Sequence, residues 1–88
     1  MHTMGCMKSS LTISESVGAA IASFRVEAGL SQEELAFSAG VHRTYISLLE
    51  RGVKSPTVNT LSCIAHALGM KTSELVRVAE LHIDRRVR

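Results

Sequence analysis

Apolar residues recur at helical spacing along most of the chain. Val17, Ile21, Phe24 and Ala28 step at i, i+4, i+7 and i+11, one stripe that predicts a helix from Ser14 to Glu27. Gly29 then stops it. Ser31-Gln32-Glu33-Glu34 has the S-x-x-E spacing of a capping box, so a second helix opens at Ser31 and satisfies its own first N–H groups. Leu35, Ala36 and Ala39 are its inward face, and Gly40 ends it. A third helix runs from His42 to Glu50 or Arg51, with Ile46 and Leu49 inward and Gly52 as its stop. After the turn Val53-Lys54-Ser55-Pro56, Thr57 is a good N-cap. Val58, Leu61, Ile64, Ala65 and Leu68 make a broad apolar face on the fourth helix, and Gly69 caps it. Thr72 opens a fifth, striped by Leu75, Val76, Ala79 and Ile83. Val78 and Leu81 fall off that stripe and leave apolar surface unclaimed. Strict apolar/polar alternation is nowhere sustained, so no strand is expected.

The fold class is therefore all-α: one compact domain of five short helices over residues 12–83. Residues 1–11 read as a flexible N-terminal tail and 84–88 as a basic C-terminal tail. Aromatics make up 3% of the chain, so the core must be mostly Leu, Ile, Val and Ala. Formal net charge is +2, which permits a polyanionic partner without demanding one. Position, not total charge, must carry any such signal.

The chemistry of catalysis finds no foothold. The four histidines are scattered, without metal-ligand spacing, and no nucleophile motif or Gly-rich phosphate loop occurs. Neither a metal, a cofactor nor an enzymatic activity is expected. Cys6 and Cys63 fit no CxxC pattern, and Cys63 is expected to be a small buried residue. No run approaches the ~20 apolar residues of a membrane span, and nothing resembles a secretion signal, which points to the cytoplasm.

Helices two and three carry the organisation that matters. They are short, and a turn of about three residues containing Gly40 joins them, the helix-turn-helix arrangement. Gly40 supplies a turn at positive φ. Ala36 is small where the third helix must cross. Leu35, Ala39, Val41, Ile46 and Leu49 fill the wedge between the two. Arg43, Thr44, Ser47 and Arg51 then share an outer face with no packing duty. Taken alone, that face would be an ordinary solvated one.

The segment GLSQEELAFSAGVHRTYISLLERGVKSPTVNTLSCIAHALG, Gly29 to Gly69, resembles the helix-turn-helix domain of the phage repressor and Cro family. L-S-Q-E-E-L-A, the turn Gly40, I-S-x-x-E-x-G and Pro56 occur in register. HRTYIS followed by ERG is most similar to the controller proteins of restriction–modification systems. The resemblance implies a third helix that enters the DNA major groove. Arg43, Thr44, Ser47 and Arg51 fall at base-facing positions, with Arg43 suited to guanine. Leu48 stands where a polar reader is common. Gln32 falls where the family bonds a phosphate, and His42, Tyr45, Lys54 and Asn59 are further candidates for backbone contact. Arg25 and Glu50 are expected to form a structural ion pair.

The function implied by this resemblance is that of a transcriptional regulator on a palindromic operator in double-stranded DNA. It would bind as a homodimer through Leu75, Val78 and Leu81 and regulate its own expression. RNA polymerase is a further candidate partner. The alternatives are an antitoxin that binds a toxin and autoregulates its operon, and a helical adaptor with no DNA role.

Overall fold

The computed structural model describes residues 12–87, with side-chain surroundings through residue 82. The expected N-terminal tail and Cys6 lie outside the described residues. Five helices form, and among the described residues there is no strand: α1 (Ile13–Glu27), α2 (Gln32–Ala39), α3 (Arg43–Glu50), α4 (Val58–Ala67) and α5 (Thr72–Val87). α5 extends past residue 83, where the basic tail was expected to begin.

Three of the helices start at a side-chain cap. Ser31 Oγ accepts the Glu34 N–H at 3.0 Å while Glu34 Oε1 accepts the Ser31 N–H at 2.8 Å. This is the expected capping box, and each half satisfies a donor the helix itself cannot. α1 has a second one, between Thr12 and Glu15. The T-x-x-E spacing of Thr12-Ile13-Ser14-Glu15 carries that signal too, and it moves the start of α1 ahead of Ser14. Thr57 caps α4 by accepting the Thr60 N–H.

The helices pack in a chain of neighbours. α1 lies against α5 and α3; α2 against α3 and α4; α4 against α5. One core joins them, centred on Ile21, Leu35, Ile46, Leu49, Ile64 and Leu75. These are fully buried aliphatics, each worth roughly 1.5–3 kcal/mol against leaving it exposed. Phe24, Val41, Leu68 and Val76 pack at its edge.

Several sequence expectations change in the packed structure. Ala28 is exposed at the end of α1 instead of closing its stripe. Val58, in the first turn of α4, is 78% exposed. Cys63 is exposed, not buried. It lies one step from Ile64, and α4 buries a narrower strip than its apolar count suggests. Leu75 is fully buried in the domain's own core. It therefore cannot be a surface contact between two copies, and the dimer role expected of it is withdrawn. The side chain of Ile83 lies outside those described.

Candidate nucleic-acid interface

The turn between α2 and α3 depends on Gly40, which sits at φ +75°. A side chain there would be strained. With this residue left-handed, the Val41 N–H reaches back to the Ala36 carbonyl at 2.9 Å. The chain then leaves α2 sharply, and Val41 tucks its side chain against the core. His42 is the N-cap of α3, and its side chain makes no capping bond. The imidazole is left exposed.

α3 is strongly two-sided. Ile46 and Leu49 are 0% and 1% exposed. Arg43, Thr44 and Arg51 are exposed and Ser47 is half-buried. Positions 43, 47 and 51 recur every four residues, with 44 one step aside, so the four share a face. It runs about 12 Å along the helix at 1.5 Å per residue. Leu48 is half-buried beside it, and its carbonyl accepts the Val53 N–H at 3.0 Å.

Three of the backbone-contact candidates lie on other segments of the chain. Gln32, half-buried, opens α2. Lys54 is exposed in the turn after α3, and Asn59 is exposed in the first turn of α4. Tyr45 is half-buried and packs against the core edge, so part of its ring has a structural duty.

A polar cluster fixes α3 relative to α1 and α2. Arg25 Nε donates to Glu50 Oε2 at 2.6 Å and Nη2 to Oε1 at 3.1 Å, a two-pronged ion pair. The third nitrogen, Nη1, donates to the Leu30 carbonyl at 2.8 Å. The side chains are 16% and 7% exposed. The hydrogen bond to Glu50 raises the Arg25 pKa above its ordinary value, outweighing the opposite push of burial. Gln32 Nε2 also donates to Glu50 Oε1, at 2.9 Å. The Arg25–Glu50 pair was legible from family resemblance. The Gln32 bond was not, because it depends on where two helix ends meet.

Close backbone contact gives the same placement. Gly18 of α1 lies against the Leu49 and Glu50 carbonyls, leaving no room for a Cβ. Nothing in the linear pattern marked Gly18, which lies beside the apolar stripe of α1.

A second surface runs along α5. Val78, half-buried, and Leu81, 45% exposed, line a shallow groove with Phe24, Met70, Glu74 and Arg77. Among the described residues no group of His, Cys, Asp or Glu could hold a metal ion, and no helix is long and apolar enough to cross a membrane.

Residues 21–75 match the family model described as helix-turn-helix. The chain is 48% identical over 60 residues to an HTH-type transcriptional regulator of Sinorhizobium fredii, covering 68% of this chain and 78% of that one. It is 38% identical over 66 residues to control protein C.SmaI of Serratia marcescens, covering 75% and 79%. A solved structure, the restriction–modification controller protein C.Esp1396I tetramer in complex with its natural 35 base-pair operator, superposes with a TM-score of 0.74. Identity is 30%, over 81% of this chain and 93% of that one.

Proposed function

The chain belongs to the helix-turn-helix family, and from that premise we propose that it is a sequence-specific transcriptional regulator that binds a two-fold operator as a dimer. The observation that carries this is the division of labour on α3. Ile46, Leu49 and Glu50 hold the helix down, while Arg43, Thr44 and Arg51 stay exposed on one face. A helix fixed on one side and idle on the other suits insertion into a major groove.

In this reading Arg43 takes guanine O6 and N7, and Thr44 and Ser47 meet neighbouring base edges. Arg51 closes the far end of the reading face. Gln32, His42, Lys54 and Asn59 contact phosphates and set register without reading sequence. Tyr45 contributes at most its hydroxyl. Arg25 and Glu50 are structural. The role is non-enzymatic, and it belongs in the cytoplasm.

One such domain covers too few base pairs to single out a genomic site. Pairing two copies through Val78 and Leu81, flanked by Phe24 and Met70, would place two reading helices on a palindrome. Similarity to control proteins favours an autoregulating controller whose output follows its own concentration. As an activator it would act next to RNA polymerase. The antitoxin alternative finds no support among the relatives.

Selecting bound oligonucleotides from a random pool tests this directly. The expected product is an inverted repeat with half-sites about one helical turn, or a multiple of it, apart. Equal retention of all sequences would sink the reading.

A further inference from the structure

Glu50 does more than pair with Arg25. Its carboxylate accepts three hydrogen bonds from two other helices: two from Arg25 of α1 and one from the Gln32 amide of α2. Glu50 is the last residue of α3 and Gln32 the first of α2. The end of the helix with the reading face is thus tied to the start of its neighbour.

The chemistry of that tie is directional. A carboxylate only accepts, and a carboxamide has one donating and one accepting end. Glu50 therefore fixes which way the Gln32 amide faces. One N–H goes to Glu50 and the second stays available. A phosphate also only accepts, so a donor held in place is what it requires. Gln32 is half-buried, and its backbone N–H belongs to the first turn of α2, where no carbonyl four residues back can take it. Glu50 alone would repel a phosphate nearby. Arg25, bonded to both of its oxygens, offsets that charge.

We propose that Glu50 is a positioning residue for DNA-backbone contact, holding the Gln32 amide with its free N–H committed to one phosphate per half-site. The inference rests on the DNA-binding reading above. The ion pair then has two roles: it braces α1 against α3, and it allows a carboxylate to orient a phosphate donor without repelling the phosphate. With Glu50→Gln, the partner can donate as well as accept. The Gln32 amide can then flip and turn its carbonyl toward the DNA.

The test is a methylphosphonate scan of the selected operator with the full chain, measuring affinity by fluorescence anisotropy. Neutralising one phosphate per half-site should weaken the wild type by about three- to tenfold, the worth of one hydrogen bond. The same substitution should change affinity less than about twofold for Gln32→Ala, and likewise for Glu50→Gln although it still carries Gln32. A purely structural Glu50 would lower affinity for every duplex alike and leave that phosphate as important as before. Retained sensitivity in Glu50→Gln with lost sensitivity in Gln32→Ala overturns the proposal. So does a wild type with no phosphate whose importance depends on Gln32. Wild-type protein that selects no sequence at all removes the DNA-binding reading instead.

Circular dichroism establishes whether Glu50→Gln folds. If it does not, the side-chain amide of Gln32 is followed by NMR in the wild type. In the free protein the N–H bonded to Glu50 is expected to exchange more slowly than its free partner, and the amide is expected to shift on adding operator DNA. Equal exchange of the two with no shift overturns the proposal.

Discussion

Gly18 and Leu49 meet backbone to backbone: a Cβ built on Gly18 would overlap the Leu49 carbonyl oxygen. The contact lies where α1 crosses the end of α3. Neither element can back away, because Ile21 and Leu49 are buried in the same core. Gly18→Ala should therefore displace α3, at the cost of about 1–3 kcal/mol typical of overpacking. Urea denaturation measures that loss. Affinity for a selected operator should fall as well, since the reading face moves with the helix.

Removing one partner of the Arg25–Glu50 pair leaves the other side chain with little solvent to replace it. Arg25→Ala should destabilise the domain by about 3 kcal/mol, the low end for breaking a buried pair. Combining Arg25→Met with Glu50→Leu should recover much of that loss, because no charge is then left unpaired. A double-mutant cycle in urea checks it. Additive losses would show that the pair is not coupled.

On the exposed face of α3 the two kinds of contact should separate by salt and sequence. Arg43→Ala should cost about 1–3 kcal/mol and relax the preference at one base pair. Lys54→Ala should weaken all operators alike and lower the salt slope by about one. Binding isotherms at several salt concentrations on matched and single-substituted operators distinguish them.

The α5 surface and the core beneath it should respond differently. Leu81→Asp should yield a folded monomer by sedimentation and lose the benefit of a two-half-site operator. Leu75→Ala should instead destabilise the domain itself, by about 2–5 kcal/mol, because it empties a core position.

Local rules carry a large part of this protein on the sequence alone. The capping box at Ser31, the left-handed turn at Gly40 and the inward pair Ile46 and Leu49 each depend on residues within a few positions of one another. So the helix-turn-helix, and the polar face left over on α3, could be read directly. The tertiary structure decided matters that depend on how helices cross. It buried Leu75 completely, which removes it from any surface between two copies, and it packed Val78, off the predicted stripe, against the core edge. It exposed Val58 and Cys63, because α4 is covered on only part of its circumference. It pressed Gly18 against Leu49, and it gave Glu50 a second partner in Gln32. Periodicity names the face a helix can bury, but only the neighbouring helix, with its distance and angle, selects which side chains are covered and which polar ends meet.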